Sequence, residues 1–145
     1  MNKTPRWITI LLWLLAAVYL ANGIEMFFVP SIWFFRLVPG VPETGPFNAH
    51  LVADSGTFYL GIAAGLVLAA LHPQRHALAV VVVAAVASTM HSILHIYSHA
   101  AGLLSAQHIT TEVAGIYLPT IVLWLLAFVL IRPAPEPVRV AVPAA

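Results

Sequence analysis

Histidine and carboxylate side chains recur four residues apart in three stretches of a mostly apolar chain. The sets are His50 with Asp54, His91 with His95 and His99, and His108 with Glu112. Residues four apart lie on one face of an α-helix, about 6 Å apart along its axis. Imidazole and carboxylate together, without thiolate, suit Zn²⁺, Fe or Mn, and imidazole alone also suits Cu²⁺. The same groups also serve as general acids and bases.

The composition of the chain is that of a membrane protein. Only 8% of its 145 residues are charged and 61% are apolar, whereas soluble domains carry about 25% charged residues. A helix that crosses a bilayer needs about 20 predominantly apolar residues, and stretches 7–29, 49–71, 77–100 and 109–131 meet this length. We therefore predict an all-α, antiparallel four-helix transmembrane bundle over residues 1–132. A Pro-rich cytoplasmic tail over residues 133–145 follows it.

The distribution of positive charge predicts how the bundle is oriented. With four crossings, both termini and the second loop lie on one side of the membrane. That side carries Lys3, Arg6, Arg75, Arg132 and Arg139, whereas the other side carries Arg36. Because Lys and Arg concentrate in cytoplasmic loops, we expect cytoplasmic termini and a multi-pass protein of the bacterial inner membrane.

The direction of each predicted helix brings ionisable side chains to a common depth. Four of them fall roughly 6–10 Å from the outer helix ends at 1.5 Å per residue: Glu25, Asp54, His95 and Glu112. His91 lies about one turn deeper, and His50, His99 and His108 lie nearer the surface. Ionisable groups inside a bilayer are costly unless they face one another, water or a bound ion, so this layer predicts a functional site.

We predict that the layer is a metal site facing the bundle interior. Its expected ligands are His50, Asp54, His91, His95, Glu25 and Glu112, with Asp54, His91 and His95 in one small pocket. Whether His99 and His108 join them is open, as is the choice among Fe, Zn and Cu. Glu25 is near a helix C-terminus, where an anion is unfavourable and needs a partner, whereas the helix dipole favours Glu112 in a first turn.

The predicted function is that of a metal-dependent enzyme, mono- or dinuclear, that oxidises or hydrolyses its substrate. Because the site lies in the outer part of the bilayer, we expect a lipid or another apolar molecule as substrate. Glu25 and Glu112 are the candidate catalytic bases. Three alternatives stay open: a metal-free acid–base isomerase or cyclase, a b-type haem protein that uses His50 and a histidine of the third helix, and a metal delivery protein.

Two absences in the sequence exclude other kinds of chemistry. The chain has no cysteine, so disulfides, thiolate metal sites and thiol catalysis do not occur. It also has no basic patch, and with a net charge of +1 nucleic acid is not an expected partner.

Gly61 and Gly65 form a G-x-x-x-G pattern in the second predicted helix. Small residues at this spacing allow close approach of neighbouring helices. We expect the pattern to serve packing within the bundle, and a homodimer through Gly61 and Gly65 is the alternative.

Residues 47–60 combine Phe47-Asn48 with His50, Asp54 and Gly56 before ending in Tyr59-Leu60. This stretch resembles one found in small bacterial four-helix membrane proteins of unknown function. The resemblance covers about the first half of the chain. It implies a four-helix membrane fold and no particular activity.

Overall fold

The computed structural model describes residues 4–131, and four long helices make up most of this range. They are α1 (Arg6–Phe28), α2 (Ala49–Leu71), α3 (Pro73–Ala100) and α4 (Ala106–Ile131), and each is long and apolar enough to cross a membrane. No strand occurs within residues 4–131. The predicted all-α four-helix bundle is therefore confirmed, and the chain is a multi-pass membrane protein. The side that its termini face stays a prediction, so inner denotes only the end of the bundle that holds Arg6, His72 and Ile131, and outer denotes the opposite end. The predicted tail over 133–145 lies outside the described residues.

A single residue, His72, joins α2 to α3. The sequence predicts a loop up to residue 76, but α3 begins at Pro73. Proline is well suited to the first helical turn because its missing N–H has no partner there and its ring fixes φ. The carbonyl of His72 accepts a hydrogen bond from the N–H of His76 at 3.1 Å. The two helices therefore run antiparallel from a very tight turn.

The inner half of the bundle is apolar throughout its core. Its largest fully buried side chains are Ile8, Leu12, Leu66, Val81, Leu123 and Leu126. Above them, the hydroxyl groups of Tyr19 on α1 and Ser88 on α3 form a hydrogen bond inside the bundle. This bond marks the level at which the polar residues of α3 begin.

Two glycines bring α1 and α2 into backbone contact. A Cβ atom built on Gly23 would lie 2.9 Å from the backbone nitrogen of Leu60, and one on Gly56 would lie 2.9 Å from that of Phe27. Side chains at these positions would force the helices apart. Small residues at transmembrane helix contacts commonly serve this purpose, and here they fix which face of α2 meets α1.

Gly56→Ala should destabilise the protein, because the new methyl group would meet backbone atoms of α1 rather than a movable side chain. Overpacking of this kind costs about 1–3 kcal/mol. Gly61→Ala is the matched control, since nothing lies within 4 Å of a Cβ atom there, and it should change stability by less than about 1 kcal/mol. Unfolding in mixed micelles measures both, and equal losses would contradict the packing of α1 on α2.

Hydrogen bonding between α3 and α4 fixes the rotation of α3. The hydroxyl groups of Ser92 and Thr120 lie 3.0 Å apart inside the bundle. His95 and His99 follow Ser92 by three and seven residues, a spacing that keeps all three on one helix face. The contact of Ser92 with Thr120 therefore turns both histidines toward α4.

A π-helical turn at Val113–Tyr117 interrupts α4 directly after Glu112. In a regular α-helix, Glu112 and Thr120 would be offset by about 80° around the axis, since each residue turns about 100°. The extra residue of a π turn removes most of this offset, so both side chains face α3. Such turns are frequent at functional sites.

Candidate functional site

Glu112 is the centre of a buried His–carboxylate cluster between α3 and α4. Its side chain is buried, with the residue 6% exposed. Oε2 lies 2.7 Å from Nε2 of His99, and Oε1 lies 3.1 Å from Nδ1 of His95. Each carboxylate oxygen thus faces one imidazole nitrogen. We call His95, His99 and Glu112 the Glu112 cluster.

The hydrogen bonds of His99 require an extra proton in this cluster. Nδ1 of His99 lies 3.2 Å from the carbonyl oxygen of Leu104, which can only accept, so Nδ1 carries hydrogen. Nε2 then needs a second proton for its 2.7 Å contact with Glu112, held either by His99 or by the carboxyl group. The pair is therefore an imidazolium with a carboxylate or a neutral imidazole with a carboxylic acid. In both states one proton lies between the two residues.

His95 is less well aligned with the carboxylate of Glu112 than His99 is. Its Nδ1 atom is at ion-pair distance from Glu112, yet within residues 4–131 it is the one buried side-chain nitrogen or oxygen without a hydrogen-bond partner. The 3.1 Å contact is therefore close enough for an ion pair but lacks hydrogen-bond geometry. The ring of His91 packs edge-on against His95, with centroids 4.7 Å apart. His91 and His95 thus extend the cluster one turn deeper into the bundle.

His50 and Asp54 do not join the Glu112 cluster. They pair with each other at 3.3 Å, and their side chains are 88% and 54% exposed. Asp54 precedes Gly56, which faces α1, by two residues and therefore points about 200° away from that contact. The prediction that Asp54 faces the bundle interior beside His91 and His95 is wrong. The exposure of His50 likewise gives no support to its use as an interior haem ligand.

Glu25 is half-buried on α1 but is not bonded to the Glu112 cluster. The carboxylate of Glu112 pairs with His95 and His99 instead. Glu25 lies two residues after Gly23, and so about 200° from the face that packs on α2. Among residues 4–131, the expected partner for this anion near a helix C-terminus is not found.

The six predicted metal ligands are not assembled into one site. Within residues 4–131, no group of three or more His, Asp or Glu side chains is arranged to hold a metal ion. Both oxygens of Glu112 are occupied by histidine nitrogens. Of the predicted ligands, the structure brings together His91, His95 and Glu112, and it adds His99, which the sequence leaves open.

A second His–carboxylate pair ties the first outer loop to the start of α4. Nε2 of His108 lies 2.9 Å from Oε1 of Glu43, and the backbone N–H of Ser105 donates to Oε2 at 2.8 Å. Gly40 allows this approach, because its φ of +85° is left-handed and a Cβ atom there would lie 3.0 Å from the His108 ring. We call Glu43, Ser105 and His108 the outer clasp. Sequence spacing could not reveal Glu43, since its partners are more than sixty residues away.

One peptide group connects the outer clasp to the Glu112 cluster. The carbonyl of Leu104 and the N–H of Ser105 belong to the same peptide unit, which bonds His99 on one side and Glu43 on the other. Hydrogen bonds in such chains polarise and strengthen one another. The charge on Glu43 therefore strengthens the contact that orients His99.

The outer clasp should open in acid. The N–H of Ser105, and then the imidazole of His108, lower the pKa of Glu43 from its usual 4.5. The stabilisation that ionised Glu43 provides is therefore complete above pH 4.5. It is lost as the pH falls through the lower pKa that Glu43 has in the folded protein. The amide signal of Ser105 in NMR spectra should titrate in this range, and Glu43→Gln should abolish that titration. A Ser105 amide signal that titrates equally in the variant would contradict the contact.

Comparisons with known proteins place no further constraint on the cluster. No family model, curated protein or solved structure matches the chain. The resemblance of residues 47–60 to small bacterial membrane proteins stays a prediction. Inference about function therefore rests on the chemistry of the Glu112 cluster.

Proposed function

We propose that this membrane protein catalyses proton transfer to and from an apolar molecule in the outer leaflet. Glu112 and His99 form the acid–base pair, and His95 and His91 lead from it toward the substrate. The observation that carries the proposal is the 2.7 Å contact of Glu112 with His99, together with the bond from His99 to Leu104. This arrangement holds a proton that either residue can carry, as general acid–base catalysis requires.

The position of the cluster also favours catalysis over transport. A path across the bilayer would need polar groups at successive depths. Below His91, the described part of α3 has no acid or histidine until His76 near its inner end, and α4 has none below Glu112. In these parts of α3 and α4, protons and metal ions therefore meet no carboxylate or imidazole that could carry them inward. Proton exchange with a molecule that enters from the outer leaflet requires none.

An isomerisation is the reaction that fits these residues without a co-reactant. The cluster would add a proton to one carbon of an alkene and remove a proton from the carbon bonded to the other alkene carbon, so that the double bond moves by one position. Atoms and charge balance, and no oxidant is consumed. A carboxyl group and imidazoles in an apolar setting are the kind of groups that such chemistry uses.

Deuterium transfer from D₂O tests the proposal on a mixture of lipids, so the substrate need not be identified first. Proteoliposomes made from the total membrane lipids of the expression host are incubated in D₂O, and the lipids are analysed by mass spectrometry. We expect deuterium at carbon positions of one lipid class, and none in vesicles without protein. Equal labelling with and without protein would overturn the proposal.

A second candidate function is metal-dependent catalysis at the same residues. The bond from His99 Nδ1 to the Leu104 carbonyl leaves Nε2, which now contacts Glu112, as the nitrogen that would bind a metal ion, an arrangement typical of metal-bound histidine. Two histidines and a carboxylate form a known ligand set for Zn²⁺ and Fe. Binding would displace the shared proton and separate Glu112 from His99. Elemental analysis for Fe, Zn and Cu distinguishes the candidates, since stoichiometric metal that is lost in His99→Ala would favour this second one.

A further inference from the structure

The loop between α1 and α2 carries Glu43 across to the helix pair that holds the acid–base pair. Phe34 of this loop is buried in one apolar cluster with Met26 of α1 and Val52 of α2, and Val41 packs against that cluster. Glu43 follows in the same 3₁₀ turn as Val41 and bonds the start of α4 through the outer clasp. The loop is therefore anchored on one helix pair and delivers a carboxylate to the other.

The backbone is shaped to make this contact. Gly40 and Gly45 stand on either side of the turn Val41–Thr44, with φ of +85° and +143°, values that residues with a side chain rarely adopt. Among residues 4–131, the one other residue with positive φ is Gly102, in the linker between α3 and α4. All three positions thus lie in the two chain segments that meet at the outer clasp.

The peptide unit between Leu104 and Ser105 connects this contact to His99. A trans peptide group is planar, so its N–H and C=O point in opposite directions. The N–H is held by the carboxylate of Glu43 at 2.8 Å, and the carbonyl accepts from Nδ1 of His99 at 3.2 Å. A rotation of the peptide that breaks the first bond therefore also breaks the second. Glu43 fixes the ring of His99 without touching it.

The orientation of His99 decides whether the acid–base pair can work. Which ring nitrogen of a histidine carries hydrogen is set by the hydrogen bond that the other nitrogen makes. The bond from Nδ1 to Leu104 keeps hydrogen on Nδ1 and presents Nε2 to Glu112 at 2.7 Å. Without it, the ring is held at one nitrogen instead of two. Proton transfer requires a contact of hydrogen-bond length, so a loosely held ring transfers protons more slowly.

We propose that Glu43 is a positioning residue for the acid–base pair, and that the outer loop thereby regulates the pair. With the outer clasp closed, the peptide holds His99 against Glu112, and with the clasp open that hold is lost. The side chain of Glu43 is 37% exposed, whereas that of Glu112 is 7% exposed. The clasp is thus accessible from outside the bundle while the pair stays buried. The inference rests on the proposed function and adds its regulation.

Glu43→Ala should lower the maximal rate of deuterium transfer about tenfold, since misplaced catalytic groups react more slowly. Host lipids are diluted into synthetic phosphatidylcholine in a series of proteoliposomes. The series gives the maximal rate and the fraction of host lipid at which half of that rate is reached. Because Glu43 acts through His99, this fraction should stay within about twofold. A higher fraction with an unchanged maximal rate would mean that Glu43 shapes the entrance for lipid, and would overturn the inference.

Asp54→Ala is the matched control. Asp54 also pairs with a histidine at the outer end of the bundle, at 3.3 Å, but this pair lies within α2. Its loss should leave the maximal rate within about twofold.

Glu43→Gln is the conservative variant and should recover part of the rate. An amide oxygen still accepts from the N–H of Ser105, although less strongly than a carboxylate does. This variant also decides the matter if Glu43→Ala does not fold. A maximal rate in Glu43→Ala or Glu43→Gln that equals that of the original protein would overturn the inference.

Nitrogen NMR of the histidine rings tests the orientation of His99 without any substrate. The protein is labelled with ¹⁵N in its histidines and placed in nanodiscs, and the signals of His99 are those that disappear in His99→Gln. We expect protonated Nδ1 in the original protein and in Asp54→Ala, and a shifted, broadened signal in Glu43→Ala. Unchanged His99 signals in Glu43→Ala would remove this inference alone. Absence of deuterium transfer by the original protein would instead remove the proposed function.

Discussion

Glu112→Gln should lower deuterium transfer into lipid about 100-fold or more, as expected for loss of a general acid–base group. The amide keeps the size of the carboxyl group and can still bond His99. It cannot take up or release the proton that the Glu112–His99 contact requires. The fold should therefore persist while proton exchange stops. Initial rates of deuterium incorporation in proteoliposomes measure the effect.

Glu25→Gln is the matched control for this experiment. Glu25 carries the same functional group at the outer end of α1, but its side chain has no contact with the Glu112 carboxylate among the described residues. The rate should stay within about twofold of the original, as for substitutions away from any specific contact. Equal losses in both variants would show that the Glu112 cluster is not the acid–base centre. Loss of bound metal together with activity in Glu112→Gln would favour the metal-dependent candidate.

The sequence predicts the helices well because their length and apolar composition are set by the bilayer itself. The predicted span 49–71 agrees with α2, and α1 differs by one residue at each end. The predicted start of α3 is four residues late, because His72 and His76 resemble loop residues. A one-residue turn followed by proline leaves no room for such a loop.

The level at which a side chain lies along the bundle is predictable from the sequence, whereas the rotation of each helix about its own axis is not. Counting residues from the helix ends brings His95 and Glu112 to one level, and the structure joins them. The same count brings Asp54 to that level, yet its side chain faces outward. The face of α2 that packs inward is set by the contact of Gly56 with α1. That contact depends on both helices and cannot be read from either one.

Two further features of the site depend on tertiary structure. The π turn after Glu112 shifts the register of α4 by one residue, and no pattern in Val113–Tyr117 indicates it. Glu43 reaches Ser105 and His108 only because the outer loop folds back over the start of α4. Helical periodicity describes only neighbours within one helix, so it cannot predict the π turn or the contacts of Glu43.

Glu112→Ala should lower the free energy of unfolding by about 3 kcal/mol. Removing one partner of a buried charged pair costs about 3–5 kcal/mol because the other partner is left unpaired. The lower end applies here, since the side chains of His95 and His99 retain some exposure. Glu112→Gln should cost only about 1 kcal/mol, because the amide still offers hydrogen bonds. Unfolding by SDS in mixed micelles measures both variants.

A double-mutant cycle with His99→Ala shows whether this cost belongs to the pair. Once Glu112 is absent, truncation of His99 removes a buried group that has already lost its partner, so the second change should cost little. The double variant should therefore be more stable than the sum of the single changes predicts, by about 1–3 kcal/mol, as found for residues in direct contact. His91→Ala combined with Glu112→Ala is the comparison, because His91 touches His95 rather than the carboxylate. Its coupling with Glu112 should be smaller. Additive losses for Glu112 and His99 would mean that the two side chains do not share a proton in the folded protein.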